Sequence, residues 1–287
     1  IIAYGNANII VHGNPTKTFF KATYAKHTNF GMQKFRLDYE GSRDIDPNND
    51  SVYTFKIPRH AELLMDSYLV FSIPDIYSTI LPPKQDNDIW KAYQFKWIEN
   101  LGTSAIKTIR IMIGTQVIQE YTGEYIRCMV ERDYNEHKKS IFSQMTGNVI
   151  ELNDPANFSG YNNGNSVTTT IGRGYPNVFY NSSITGPEPS IRGRKIYVPL
   201  SCWFSKNSKL AVPLVCLQYS FMSIEVTMRP IRELFTINNV QKEYTETTYD
   251  STLNVFYQRI QPNFTNELHS LYRFLQPPPN ILLTESD

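Results

Sequence analysis

Phe35, Leu37 and Tyr39 alternate with Lys34, Arg36, Asp38 and Glu40, the period of two that predicts a strand with one wet face. That strand stops at the turn-rich "GSRDIDPNND", residues 41–50. A second strand reads Tyr53, Phe55 and Ile57 against Thr54 and Lys56 and is closed by Pro58, which cannot donate to a ladder. A third is "SYLVFSIP", residues 67–74. The loop-like "DIYSTILPPKQDND" follows, and "IWKAYQFKWIENLG" places two of the three tryptophans on its far side. "AIKTIRIMIGTQVIQEY" reads as a hairpin: Ile109, Ile111 and Ile113 point one way, Gly114-Thr115 turns the chain, and Val117-Ile118 returns.

Tyr121, Tyr125, Cys128 and Met129 recur at the spacing of a helix that lays one face on a core, with Thr122 as its cap. It is the one helix the pattern predicts in the main body. Residues 147–194 change character: "FSGYNNGNSVTTTIGRGYPNVFYNSSITGPEPS" holds Gly, Asn, Ser, Thr and Pro at loop density. From Arg194 to Ile231 the chain is most apolar, with a polar turn at "SKNSK" between two strand-like runs. In the second run Leu217, Tyr219 and Phe221 share one parity while Met222, Ile224, Val226 and Met228 take the other, so a β-bulge is expected near Phe221. After Arg232 the chain turns polar and reaches "LYRFLQPPPN", a linker-like stretch. No repeat of fixed period emerges.

Composition agrees with strands. Charged residues are 19% of the 287 residues, aromatics 13%, with 19 Tyr and 16 Phe, and β-branched, aromatic and turn-forming residues outnumber the usual helix formers. The all-β class is expected. With 28 basic and 27 acidic side chains the net charge is +1, so no global field draws the protein onto a phosphate backbone, and no direct nucleic-acid partner is expected. Three cysteines, Cys128, Cys202 and Cys216, include no CxxC pair, against a disulfide framework or a four-thiolate zinc site. A reducing compartment at synthesis is expected. No apolar run reaches the ~20 residues that span a bilayer. The chain begins without Met and ends just after a proline cluster, so a piece of a longer polypeptide is expected.

Candidate chemistry is sparse. His12, His27, His60, His137 and His269 show no HxH, HxxxH or HExxH spacing, so no metal site and no cofactor is expected. There is no GxSxG elbow and no P-loop. The glycines around Gly172 lack a strand-to-helix junction, and Asp44 with Asp46, or Asp86 with Asp88, read as solvated loop charges rather than an acid/base pair. The N-x-[ST] matches at Asn49, Asn157, Asn181 and Asn263 read as accidents of an Asn-rich chain. The stretch "GNPTKTFFKATYAKHTNF", residues 13–30, carries Lys17, Lys21, Lys26 and His27 among aromatics without one acid. It is either an anion-gripping site or an assembly element with a solvated cationic rim around docked Phe19 and Phe20; overall neutrality favours the rim.

Several separated blocks resemble the major capsid proteins of nucleocytoplasmic large DNA viruses, including those of giant amoeba viruses. These are "AYGNANIIVHGNPTKTFFKATYAKHTNF", "IPRHAELL", "WIENLGTSAIKTIRIMIGTQVI" with "TGEY" after it, "IYVPLSCWFSKNSKLAVPLVCLQYSFMSIEV", and "RIQPNFTNELHSLYRFLQPPPN". Thr115 departs from a usual glycine, and Cys202, Val212 and Cys216 are variants. The resemblance implies an all-β jelly-roll β-sandwich, the N-terminal barrel of a double jelly-roll capsid protein, with one short helix and long loops. The independent reading agrees, since short strands in two packed sheets need two apolar inner faces.

It further implies an arm over 1–13, a jelly roll over 14–240, and a connector over 241–287 towards a second jelly roll absent from this chain. The implied function is a structural, non-enzymatic one: homotrimeric pseudo-hexagonal capsomers that tile an icosahedral virion shell, assembled in the host cytoplasm. Neighbouring capsomers would be partners, and minor capsid proteins and the inner membrane side would meet the arm. The assembly residues it points to are Phe19, Phe20, Lys21, Tyr24 and His27. A minor or vertex capsid component of the same fold is an alternative, and a carbohydrate-binding jelly roll another; sugar binding or stoichiometric metal would mark the last.

Overall fold

The computed structural model describes residues 10, 29–41, 44–77, 80–81, 91–93, 95–153, 189–239 and 259–276. The chain divides into two compact units, Ile1–Arg36 and Leu37–Asp287. Of the first, residues 29–36 have no regular secondary structure, and Phe30 and Met32 are exposed.

In the second unit the strands are β1 (Glu40–Gly41), β2 (Ser51–Lys56), β3 (Leu63–Leu64), β4 (Tyr68–Ile73), β5 (Ile80–Leu81), β6 (Lys91–Ala92), β7 (Lys96–Trp97), β8 (Ile106–Ile113), β9 (Gln116–Tyr121), β10 (Arg194–Pro199), β11 (Val212–Pro213), β12 (Met222–Met228), β13 (Phe235–Asn238) and β14 (Arg259–Ile260). The helices are α1 (Leu101–Ser104), α2 (Gly123–Asp133), α3 (Glu136–Thr146), α4 (Ile150–Asn153) and α5 (Tyr272–Leu275).

A long antiparallel ribbon organises the body. β2 pairs with β12 (Ser51 opposite Met228), β3 with β11 (Leu64 opposite Val212), β4 with β10 (Tyr68 opposite Pro199), and Ile76 bridges Ile191. One end of the ribbon lies in a five-stranded sheet of order β1-β2-β12-β8-β9 and the other forms the sheet β10-β4. A ribbon that doubles over from one sheet into another is the winding of a jelly roll. The all-β, jelly-roll expectation is therefore met.

The sheet's inner face follows from alternation. A transverse row across all five strands, Gly41–Tyr53–Val226–Ile109–Tyr121, faces the core, and Tyr53, Val226, Ile109 and Tyr121 are buried. The hairpin forms as predicted: Ile113 pairs with Gln116 across Gly114-Thr115, and Gly114 takes φ +63°, open to glycine at little cost. α1 and the end of α3 cover the inner face of β10, with Gly102 so close to the Thr146 carbonyl that a Cβ would lie 2.7 Å from it.

Four local expectations need correction. The strand over 34–40 shrinks to Glu40–Gly41, which pair with Thr54 and Tyr53 at the edge of the sheet. α2 starts where predicted, the Thr122 hydroxyl accepting from the Tyr125 N–H at 3.3 Å, but its buried face is Gly123, Ile126, Met129 and Val130 while Tyr125 and Cys128 are exposed. α2 is not alone: α3 is as long, capped by Asn135 at its start and by Gly147 at φ +79° at its end. The expected bulge near Phe221 is absent, because the strand begins only at Met222; Leu214–Cys216 form a 3₁₀ turn before it. Register shifts instead fall at Ile111/Met112 and Thr227/Met228. In the loop region expected over 147–194, residues 150–153 form α4 and 154–188 lie outside the described residues.

Candidate assembly surfaces

Three outward surfaces follow from which side chains the strands turn away from the core. The five-stranded sheet exposes the row Glu40–Thr54–Glu225–Arg110–Glu120, one residue along from the buried row. Arg110 bridges two strands, its Nε 3.2 Å from Glu120 Oε1 and its Nη1 3.4 Å from Glu225 Oε1. Lys56 reaches Glu40 at 2.8 Å and Lys107 pairs with Asp50. These exposed ion pairs contribute little stability; they make the face polar and self-satisfied.

The sheet β10-β4 does the opposite. Leu69, Ile73, Ile196 and Val198 face inward, while Tyr68, Val70 and Tyr197 are exposed. Val70 lies directly opposite Tyr197, and Tyr68 opposite Pro199, so the outer face carries an apolar cross-strand pair with an aromatic and a proline beside it.

The third surface is the tip between β11 and β12. Tyr219 is 99% and Phe221 67% exposed, with Val215 also out in solvent. Arg59 holds this tip: its guanidinium sits 5.6 Å from the Phe221 ring centroid and donates to the carbonyls of Leu217 and of Ser220, the latter at 3.2 Å. The Gly114 N–H donates to the Phe221 carbonyl at 2.9 Å, tying the tip to the β8–β9 turn. Large aromatics held on a fixed backbone lose little entropy when a partner covers them, the property of an interface anchor.

The residues singled out from sequence, Phe19, Phe20, Lys21, Tyr24 and His27, lie outside the described residues, as do Lys17, Lys26, Gly172, Asp86 and Asp88. Tyr219, Phe221 and Arg59 were missed. The parity break at Phe221 was the available signal: apolar residues that fit neither face of the following strand are those left outside it.

Groups with reactive potential are occupied structurally. Asp46 Oδ1 accepts from the N–H groups of Asn48 (2.7 Å) and Asn49 (2.8 Å); these backbone bonds hold its carboxyl below the usual range, and the residue caps a turn. Cys202 is buried with its Sγ 3.4 Å from the Tyr121 hydroxyl, and burial pushes its thiol up to about 11, so it is protonated at neutral pH and a poor nucleophile. Among the described residues no three His, Cys, Asp or Glu side chains gather as a metal site would require, and no helix is long and apolar enough to cross a membrane.

The family described as "Major capsid protein N-terminus" matches residues 18–260. The chain is similar to the "Major capsid protein" of Phaeocystis pouchetii virus, 26% identical over 236 residues, covering 81% of this chain and 41% of that protein. It is also similar to "Capsid protein 1" of Acanthamoeba polyphaga mimivirus, 24% identical over 242 residues, covering 84% of this chain and 36% of the relative. Among solved structures it resembles a chain of "PBCV-1 virus capsid, quasi-atomic model", with a TM-score of 0.48, 17% identity, and coverage of 74% of this chain and 38% of that one. The "Faustovirus major capsid protein" gives a TM-score of 0.44 at 14% identity, over 75% of this chain and 46% of that one. The chain spans about two-fifths of the length of the curated relatives it matches, as the 41% coverage of the first shows.

Proposed function

Because this chain belongs to the family of major capsid protein N-termini, we propose that it is the first barrel of a virion shell subunit and works by burial and repetition rather than by catalysis. The observation that carries this reading is the family match over residues 18–260, which takes in the ribbon from Ser51 to Met228. In the proposed assembly three copies close a ring through one repeated heterologous contact, and the resulting capsomers tile through many modest edge contacts whose number supplies avidity. The three surfaces have complementary uses in it. The charged outer face of the five-stranded sheet stays solvated, while the apolar β10-β4 face and the Arg59-held aromatic tip are the surfaces with area to bury.

The assignment of residues 1–13 as an arm, 14–240 as the barrel and 241–287 as a connector is part of the proposal, as is the virion location with assembly in the host cytoplasm. So is the role of Phe19, Phe20, Lys21, Tyr24 and His27 as an assembly element, together with contacts between the arm and minor capsid proteins or an inner membrane. The test is negative-stain microscopy with light scattering on the purified full-length chain. Trimers with a hexagonal outline are expected. A stable monomer that forms no capsomer at any concentration reached, or stoichiometric metal or saturable sugar binding, would overturn it.

A further inference from the structure

Residues 259–276 form a strap against one end of the barrel. β14 pairs with β13, Ile260 opposite Ile237. Arg259 donates to the Thr236 hydroxyl and carbonyl and to Asn238 Oδ1. The Tyr77 N–H donates to the Phe274 carbonyl at 2.8 Å. Phe274 is fully buried, its ring 5.4 Å from Tyr93, 5.5 Å from Phe95 and 6.0 Å from Phe235. The strap thus caps the aromatic core with its own aromatic.

His269 lies within this strap and is 3% exposed. Its Nδ1 accepts from the Asn263 N–H at 3.2 Å, which fixes the proton on Nε2, and Nε2 is buried with no partner. An imidazole is a poor choice there for packing alone, since it leaves a buried donor unsatisfied. Among the described residues, the charged and titratable groups of the strap and of the strands and rings packed on it are Arg259, Glu267, Tyr272, Arg273, Lys96, Tyr93 and Tyr77. None of them hydrogen-bonds to the imidazole, so among the described residues no carboxylate is bonded there to neutralise an imidazolium.

We propose that His269 makes the strap a proton-operated latch, closed while the imidazole is neutral and released from the barrel when it is charged. Two things happen on protonation. Nδ1 becomes a donor facing the Asn263 N–H, so that hydrogen bond is lost, and an unpaired charge appears at a buried position. Burial lowers the imidazole below its usual 6.5, so the neutral side chain's contribution is complete above 6.5 and is lost as pH falls towards and through the folded-state value. The other described histidines, His60 and His137, are exposed, and carboxylates titrate lower, so between pH 7.5 and 5.5 His269 is the described group whose change of charge is costly.

The experiment is hydrogen exchange by mass spectrometry on the full chain at pH 7.5 and 5.5, corrected for intrinsic rates, on the parent and on His269→Gln. Gln stays uncharged over this pH range and fills much of the imidazole's volume with a neutral amide. In the parent, opening of 259–276 is expected to rise by about tenfold at pH 5.5, one unit below the unfolded-chain value, while β8 and β12 stay protected. In His269→Gln the rise disappears. Equal protection of the parent's strap at both pH values, or the same acid response in His269→Gln, overturns the proposal. An NMR titration of the parent's His269 serves if the variant does not fold: a midpoint at or above 6.5 with the strap in place also overturns it. Neither result bears on capsomer formation, so the latch and the shell reading fail separately.

Discussion

At the scale of single residues, the side chains that matter most are those with no room to change. Gly123 opens α2 where a Cβ would lie 1.9 Å from the Thr103 carbonyl oxygen and 2.6 Å from that of Ile106. Gly123→Ala must therefore push α1 and α2 apart, and a loss of ~2–3 kcal/mol is expected from the overpacking; an unchanged midpoint in chemical denaturation would contradict it. The neighbouring pair Trp203 and Phe204 separates size from burial. The larger ring is not the deeper one: Trp203 is only partly buried while Phe204 is fully buried with the tryptophan ring edge-on at 5.1 Å. Phe204→Ala is expected to cost ~3–5 kcal/mol and Trp203→Ala distinctly less, read from the two denaturation midpoints. Within a short 3₁₀ turn, Trp203–Ser205, neither a period of two nor one of 3.6 applies, so nothing in the sequence says which ring turns inward.

At the scale of elements, what was legible depended on whether alternation or capping carried the signal. β2 and β8 were readable because burial asks for an apolar residue at every second position, as at Ile109 and Ile111, and β4 because its apolar run stops at Pro74. α3 was not, because "EHKKSIFSQMT" buries only Phe142 and Thr146 and its ends are set by Asn135 and Gly147 rather than by an apolar stripe. The tip at 217–221 misleads for the converse reason: Leu217, Tyr219 and Phe221 are apolar but belong to no strand, since β12 begins at Met222. Arg59 holds it, so Arg59→Ala is expected to shift global stability by less than about 1 kcal/mol, since an exposed charged contact contributes little. The tip itself should loosen, and chymotrypsin should cut at Tyr219 or Phe221 faster than in the parent. Unchanged cleavage kinetics would mean that the tip is ordered by the Gly114–Phe221 bond and the 3₁₀ turn alone.

At the scale of the whole molecule, the ribbon explains why widely separated blocks could be read together. "IPRHAELL" and "AVPLVCLQY" lie far apart in the chain but meet as β3 and β11, Leu63 opposite Pro213, and the hairpin block lies beside β12. What remained illegible is where one copy meets another, because an interface is written across surfaces that have no common period. The proposed shell offers three candidate contacts, and the first two can be separated by substitution. Phe19→Ala with Phe20→Ala is expected to leave the barrel folded, with its denaturation midpoint intact, and to impair trimers or the lattice. Tyr219→Ser with Phe221→Ser removes exposed side chains, so it too should leave folding intact, and any defect it causes is one of association. Light scattering and negative-stain microscopy on both pairs then assign the contacts: loss of trimers marks the contact that closes the ring, and normal trimers that fail to tile mark the contact between capsomers. If both variants form normal trimers and normal particles, neither the amino-terminal aromatics nor the Arg59-held tip builds the shell, and the apolar face of β10-β4 around Val70 and Tyr197 becomes the surface to substitute next.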